Sequence, residues 1–420
     1  MDNGTMKIFL KIMAVCAALV LGAGETTAND TAGTLLPTGR VVFAKQDGVQ
    51  MRVEALHIKP GQIEVNYLFE NITDKDITTQ VFFPTPGQAL SNKYVPDEFG
   101  PSFHDFDFKL WIDGKEKPYD TALTIHRLFY YNDAGFYVDE KTDVTEQLMP
   151  YLKPFIRGND IIFPEGFDAF IESLPAETRD RWQREKLVEF YKHEEKSWWG
   201  KSLGKGLTFY WTQIFPVGKT VWVRHTYAPT GRSNSIGALE ANCFRDYDED
   251  KFFQALAKQH GVPVPNQNGD IRWRAYDYLQ YILKTANNWS GPIESFNLLI
   301  EANRAAFACF EGKPLPVIDR FAAVNRQHFA PSADLELDFI NKGAEDYVPA
   351  PSPAYALYRV DGPANVRETP GKGKVIGSLK DKTYAWAAPD PLNKDWYLVL
   401  QNDISGYTHE GNLRAALISQ

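Results

Sequence analysis

The sequence has few cysteines and no excess of positive charge. Three cysteines occur in 420 residues, and 45 lysine and arginine residues stand against 54 aspartate and glutamate residues, which gives a formal net charge of −9. Such a chain lacks the basic stripe that displaces counterions from a phosphate backbone, which argues against nucleic acid as a partner. Paired histidines at zinc-ligand spacing and the G-x-S-x-G pattern of a serine nucleophile are also absent. We therefore predict no metal site, no cofactor and no enzymatic activity.

No segment after the first 28 residues approaches the roughly 20 apolar residues needed to cross a bilayer, so the mature chain is predicted to have no transmembrane span. Residues 1–28 have the features of a cleavable signal peptide. Lys7 provides positive charge, Ile8 to Ala23 form an apolar run, and small residues precede a cleavage site before Asn29. The alternative is a retained membrane helix, but Lys11 interrupts the run. We expect a periplasmic or secreted protein.

Removal of the leader leaves two cysteines, Cys243 and Cys309. Cysteines of an exported protein meet an oxidising compartment, so a disulfide between them is predicted. Closing a loop of this length would restrain the unfolded chain by about 4 kcal/mol on an entropic account. The alternative is a pair of buried free thiols.

Beyond the leader, the chain alternates between apolar and polar residues in the manner of half-buried strands. With 44% hydrophobic and 14% aromatic residues it can form substantial cores, and its length allows two or three domains. The alternation runs from Val41 to Phe83, returns at Leu207–Trp211 and Thr220–Tyr227, and resumes after Arg272. The fold class is therefore predicted to be mainly β.

The region from about 138 to 201 departs from this alternation. Trp182 and Phe190 recur near helical spacing among charged residues, which predicts a helix from Pro175 to Lys196 within an inserted helical segment. A proline-rich stretch at 343–354 is expected to be a stiff linker. The predicted organisation is a signal peptide at 1–28, a β-rich body at 29–342, this linker, and a C-terminal domain at 355–420.

Four features of the body each have a functional and a structural interpretation. His225 is a candidate base or ligand, but a hydrogen-bonded, half-buried histidine is favoured. Trp289 is either a ligand platform or a core side chain behind a tight turn, and the core is favoured. The acidic run Asp246–Asp250 is more typical of a solvated helix start than of a catalytic or calcium site. Trp198 and Trp199, placed at the end of the charged helix, either leave one indole available to a partner or both pack into the protein, and neither interpretation is favoured.

The last part of the chain contains three motifs, NVRETPG at 365–371, WYLVL at 396–400 and GYTHEGNL at 406–413. In the order and spacing of these motifs, about residues 355–416 resemble a bacterial SH3-type (SH3b) domain. Tyr407 departs from the tryptophan that the family more often carries. The resemblance implies a small SH3-like β-barrel and, because related modules bind cell-wall peptides, peptidoglycan or an envelope protein as the ligand.

The body contains three characteristic segments, EALHIKPGQIEVNYLFEN at 54–71, QIFPVGKTVWVRHTYAPT at 213–230 and NWSGPI at 288–293. In these segments the body, over about residues 29–342, resembles the domain of unknown function 4424 family of exported bacterial proteins. The resemblance implies a β-sandwich-like framework with paired cysteines and no known chemistry.

The C-terminal domain holds more aromatic residues than a small barrel core needs. Alternation places Trp396 and Leu398 on one face of a strand and Tyr397 on the other, so some rings must lie outside. The predicted ligand-binding groove consists of Asn365, Arg367, Tyr384, Trp386, Trp396, Tyr407 and Glu410. The expected function is non-catalytic binding in the cell envelope. The alternatives are an envelope-polymer hydrolase targeted by this domain, and an assembly or scaffold factor that binds through exposed sheet edges.

Overall fold

The computed structural model of the protein describes most of the chain after the leader. The described residues are 30–38, 40–59, 61–85, 88–90, 106–127, 130–131, 137–138, 142–193, 196–201, 203–228, 231–234, 276–301, 305–310, 313–317, 320–341, 353–402 and 404–416.

Two seven-stranded sheets form the body. In sheet A the order is Thr142–Asp143, Asp120–Arg127, Leu203–Phe215, Ile77–Pro84, Thr31–Leu35 and Val41–Phe43, with Gln88–Ala89 paired to the third strand. In sheet B the order is Phe321–Phe329, Ile293–Glu301, Val49–Lys59, Gln62–Asn71, Thr220–Tyr227, Lys109–Ile112 and Lys115–Lys117. The described pairings are antiparallel except that of Ile293–Glu301 with Val49–Lys59, which is parallel. The mainly β, sandwich-like fold is confirmed.

The alternating sequence pattern determines which side chains enter the core between the sheets. Leu56 and Ile58 of sheet B are buried, as are Tyr67 and Phe69 on the next strand, and they share one apolar cluster with Phe83 of sheet A. A tight turn joins strand Val49–Lys59 to strand Gln62–Asn71, and Gly61 in this turn has a φ of +74°. That backbone region is accessible to glycine at little cost.

Smaller elements complete the body. A five-stranded antiparallel sheet, sheet C, has the order Gly231–Asn234, Tyr276–Tyr281, Leu335–Asn341, Ala305–Phe310 and Lys313–Pro316. Three hairpins pair Tyr130–Tyr131 with Tyr137–Val138, Ile156–Arg157 with Asp160–Ile161, and Val188–His193 with Lys196–Lys201. Single 3-10 turns lie at Lys153–Phe155, Lys284–Asn288 and Glu410–Asn412.

The predicted helical insertion is only partly helical. Its helices are Thr145–Leu152, Phe167–Ser173 and Ala176–Arg184, and they pack around a separate apolar cluster that contains Trp182. The helix predicted to reach Lys196 ends at Arg184. Lys186 has a φ of +58°, and the Leu187 amide donates to the Trp182 carbonyl, which is the Schellman arrangement that terminates helices. Trp198 and Trp199 therefore lie on a hairpin strand and not at a helix end.

The C-terminal region forms a third seven-stranded sheet. Its order is Val375–Leu379, Ala364–Arg367, Ile404–His409, Trp396–Gln401, Tyr384–Pro389, Ala356–Val360 and Leu413–Ala415, and it curls into a half-barrel. Val366, Ala385 and Val399 are fully buried inside the curl. The SH3-type nature of this C-terminal sheet stays a prediction.

The C-terminal sheet packs on the face of sheet B that points away from sheet A. One apolar cluster contains Val53, Leu299 and Phe321 of sheet B together with Leu357 and Trp386 of the C-terminal sheet. Sheet A, sheet B and the C-terminal sheet therefore stack as three layers. We call the contact between the last two the domain interface.

Several predictions fall outside the described residues. Cys243 and the acidic run Asp246–Asp250 are not among them, and of Cys309 only the backbone in strand Ala305–Phe310 is described. The Cys243–Cys309 disulfide therefore stays a prediction. In the described part of the chain, no helix is both long and apolar enough to cross a membrane.

Candidate functional site

His225 and Asp30 form a pair in the core between sheets A and B. Both side chains are 0% exposed, and His225 Nε2 lies 3.2 Å from Asp30 Oδ1. Burial raises the pKa of the Asp30 carboxyl, and the adjacent histidine partly offsets this effect. The Trp289 indole donates a 2.6 Å hydrogen bond to the Asp30 carbonyl. The structural interpretations of His225 and Trp289 are confirmed, and His225 is fully buried where half-burial was expected.

A second polar chain in the same core connects Tyr67, Tyr281 and Glu54. The two hydroxyls lie 3.0 Å apart, and Tyr281 donates to Glu54 Oε1 over 3.2 Å. Burial is the main cause that raises the pKa of both tyrosines well above the usual value; the charge of Glu54 comes next for Tyr67, and Tyr67 followed by Glu54 for Tyr281. All three side chains are fully buried. An acid or base must come within hydrogen-bonding reach of a substrate, so this closed network is suited to fixing the core and not to catalysis.

The domain interface contains two of the residues predicted to bind ligand. Trp386 is 2% exposed, and its ring centre lies 5.6 Å from that of His57 in sheet B. The Tyr384 carbonyl accepts a 3.1 Å hydrogen bond from Asn325 Nδ2. Trp386 is therefore enclosed by protein and does not line an open groove. Contacts within the protein explain part of the aromatic surplus of this domain, because Tyr355 and Trp386, on the outer face of the C-terminal sheet, pack on sheet B.

A cleft of about 860 Å³ opens beside this interface, between strand Phe321–Phe329 and the C-terminal sheet. Its apolar lining includes Phe321, Tyr355, Leu398 and Tyr407. Ligand pockets have volumes of about 300 to 1,000 Å³ and often occur where domains meet. This cleft is the best candidate for a binding site in the described part of the chain.

Among the described residues that line the cleft, two arginines and one glutamate carry charge. Arg320 and Arg326 line it from the body, and Glu368 lines it from the C-terminal sheet. Arg326 is exposed, and its guanidinium lies 5.8 Å from the centre of the Phe310 ring. Arg320 has a φ of +76°, a strained backbone for a non-glycine residue. The exposed Arg326 guanidinium could contact an anionic group on a ligand.

The seven predicted groove residues do not form one site. Tyr407 lines the cleft, and its strand neighbour Arg367 donates to the Gly373 carbonyl over 2.8 Å. Trp396 packs edge-on against His409 at the far end of its strand. Asn365 and Glu410 are exposed. Tyr407 is thus the one predicted residue that lines the cleft.

Sequence reasoning did not find the cleft residues of the body. Phe321 and Arg326 belong to a strand that is distant in sequence from Tyr407, Arg320 directly precedes that strand, and only the packing of the two sheets brings them beside Tyr407. Tyr355 could be recognised from the sequence only as one of the aromatic residues that exceed the needs of a small barrel core. No group of three or more histidine, cysteine, aspartate or glutamate side chains within the described ranges is placed to hold a metal ion.

The sequence matches the domain of unknown function DUF4424 over residues 28–337, which is most of the chain. The chain belongs to the DUF4424 family. The predicted membership and its approximate extent, 29–342, are therefore confirmed. The match covers sheets A, B and all but the end of sheet C, and it stops before the C-terminal sheet of this DUF4424 protein.

No curated protein matches the sequence of this DUF4424 member. Among solved structures, it is similar to a candidate nutrient binding protein of Legionella pneumophila at 13% sequence identity. That similarity covers 75% of this chain and 72% of the Legionella protein, with a TM-score of 0.31. A score this low carries no argument about ligand or activity.

Proposed function

We infer that this protein is an exported, non-catalytic binding protein of the cell envelope and that its ligand occupies the cleft beside Tyr407. The observation that carries the proposal is the cleft itself, which combines aromatic and aliphatic walls with the exposed Arg326 among its described lining residues. A few polar groups on a mostly apolar concave surface are typical of ligand sites. The predicted leader supports export, and the resemblance of the C-terminal domain to SH3-type modules supports peptidoglycan or an envelope protein as the ligand.

The closed core supports binding over catalysis. The buried groups with acid-base chemistry, such as Glu54 and His225, are sealed between sheets A and B. The cleft instead presents Tyr407, Tyr355 and the two arginines, which are residue types enriched at binding hot spots.

Co-sedimentation of the full mature chain with insoluble peptidoglycan tests this function. The wild type should sediment, and Tyr407→Ala should bind about tenfold more weakly, which corresponds to ~1.4 kcal/mol. Leu392→Ala, at a position 88% exposed and outside the cleft, should bind like the wild type. The full chain is required, because removing the body would expose Trp386 and Leu357.

Each other result has a distinct meaning. Absence of wild-type sedimentation would exclude peptidoglycan, and crosslinking in the envelope fraction would then test for a protein partner. Equal binding by Tyr407→Ala and the wild type would exclude the cleft as the site. Release of soluble muropeptides during the incubation would indicate a hydrolase instead of a binding protein.

A further inference from the structure

The strand Val375–Leu379 lies at one end of the C-terminal sheet. In the described strand order it pairs on one side with Ala364–Arg367 and ends the sheet on the other. None of its residues belongs to the apolar cluster of the domain interface, and none lines the cleft. This strand therefore presents a surface that is separate from the candidate binding site.

Two neighbouring apolar side chains of this strand are exposed to solvent. Val375 is 44% exposed and Ile376 is 47% exposed. In a regular strand, one of two successive side chains would face the interior of the curl. The ladder to the neighbouring strand instead shifts register between Val366 and Arg367, which leaves Ile376 as an extra, bulged residue. Both apolar side chains therefore stay at the surface.

Exposed lysines flank these apolar side chains at both ends of the strand. In the described part of the chain no ion pair engages any of the four, which are Lys372, Lys374, Lys380 and Lys382. With Asp381, the one acidic residue of the segment 372–382, they give a net charge of 4 − 1 = +3, whereas the whole chain has −9. This edge therefore reverses the sign of the chain's charge locally.

Hydrogen bonds fix the hairpin turn that precedes the strand. The Arg367 guanidinium donates to the Gly373 carbonyl over 2.8 Å, and the Glu368 amide donates to the Lys374 carbonyl over 2.9 Å. A side chain at position 373 would clash with the main chain of Thr369, so the turn requires glycine there. Because the backbone is already ordered, little conformational entropy remains to be lost when this edge meets a partner.

These features match an anionic surface better than an added strand. Lysine side chains and bulges are the means by which edge strands avoid pairing with other chains. A bilayer surface needs no main-chain pairing, so neither feature opposes it. At such a surface, apolar side chains enter the headgroup region and lysines contact the lipid phosphates. Each lysine near an anionic bilayer strengthens binding about fivefold.

We propose that the strand Val375–Leu379 and its flanking lysines dock on the surface of an anionic phospholipid bilayer. Val375 and Ile376 enter between the headgroups, and Lys374 and Lys380, roughly 20 Å apart along the strand, bind phosphates on either side. The remainder of the chain has a net charge of −9 − 3 = −12, and its repulsion from the bilayer turns this edge toward the membrane. The docking is independent of the ligand in the cleft.

Co-sedimentation of the full mature chain with phospholipid vesicles tests the proposal. Vesicles of equal parts phosphatidylglycerol and phosphatidylcholine should bind the protein about tenfold or more tightly than vesicles of phosphatidylcholine alone, because only the former are anionic. Roughly 1 M salt shortens the screening length to about 3 Å and should remove most of this preference.

Two pairs of lysine substitutions separate this edge from a general effect of charge. Lys374→Glu combined with Lys380→Glu should weaken binding to the anionic vesicles about 25-fold or more, since two lysines at about fivefold each are lost. Lys115→Glu combined with Lys117→Glu makes the same charge change on the exposed edge strand Lys115–Lys117 of sheet B. This control should bind within about threefold of the wild type, because charges beyond a screening length contribute little.

The apolar contribution is tested by Val375→Ser combined with Ile376→Ser. This variant should weaken binding to the anionic vesicles about fivefold or more, because it removes apolar surface that enters the headgroup region. Its preference for phosphatidylglycerol should persist, since all four lysines remain. If this variant fails to fold, the lysine variants still decide the proposal, because their side chains are exposed.

Absence of binding to the anionic vesicles, or an equal loss of binding in the control pair, would overturn membrane docking. So would binding of a glutamate hexapeptide that depends on Lys374 and Lys380 while the vesicles stay unbound, since the partner would then be an acidic protein segment. Tyr407→Ala should leave vesicle binding unchanged. Failure of the cleft as a ligand site and failure of membrane docking are therefore distinguishable.

Discussion

Replacing Trp386 with alanine should destabilise the whole protein, because this indole fills the domain interface. The side chain is 2% exposed and belongs to the cluster that joins sheet B to the C-terminal sheet. Truncation of a buried tryptophan to alanine costs about 3 to 5 kcal/mol in transfer and cavity terms. Its Nε1 has no hydrogen-bond partner among the described residues, so lost packing accounts for the whole effect.

Urea unfolding of the full mature chain, followed by far-ultraviolet circular dichroism, measures this loss. Trp396→Ala provides a matched control in the same sheet, since Trp396 is only partly buried and lies away from the interface cluster. Its loss in free energy of unfolding should be clearly smaller. If Trp386→Ala changed stability by less than about 1 kcal/mol and instead weakened ligand binding, the residue would belong to a binding groove and the interface account would be wrong.

Three further predictions concern acid stability, the buried pair and export. Burial, followed by the charge of Lys59, lowers the pKa of His57 to about 4. As the pH falls below about 6.5, His57 is therefore protonated in the unfolded chain before it is protonated in the folded protein. Acidification from pH 7 to 4 should lower the free energy of unfolding of the wild type by about 3 kcal/mol more than that of His57→Gln. Asp30→Ala should cost about 3 to 5 kcal/mol in urea unfolding, because its histidine partner stays buried. Mass spectrometry of the periplasmic fraction should show an N-terminus at Asn29 and, on reduction, a gain of two hydrogens from a Cys243–Cys309 disulfide.

The strands of the body were predictable because each half-buried strand alternates over its own length. Ile58 and Tyr67 enter the core as their alternation predicts. The core roles of His225 and Trp289 were also predictable, since His225 shares a strand face with the apolar Val223 and Tyr227, and Trp289 lies beside a turn. Asp30 as the partner of His225 was not predictable, because the pair spans most of the body and depends on how sheet A packs on sheet B.

The helical insertion shows how spacing alone fails in a short segment. Trp182 and Phe190 fit helical spacing, but a helix ends when one residue adopts a left-handed backbone, as Lys186 does. Lysine carries little sequence signal for that conformation, which is more typical of glycine or asparagine. The residues after it pair as strands instead.

The candidate site was only partly predictable for a related reason. Alternation correctly placed aromatic rings outside the core of the C-terminal domain, but it could not say what covers them. Trp386 is covered by sheet B, whereas Tyr407 faces the cleft. Arg326 enters the site through long-range packing of two sheets, and no local pattern encodes that contact.

Site-specific photocrosslinking in living cells tests the central claim most directly. A benzoylphenylalanine introduced at Ser405, which is exposed and lines the cleft, should crosslink to an envelope component. The same group at Leu392, which lies outside the cleft and is 88% exposed, should not. Equal products at both positions, or none at Ser405 while the protein is folded and exported, would contradict a ligand site between the body and the C-terminal sheet.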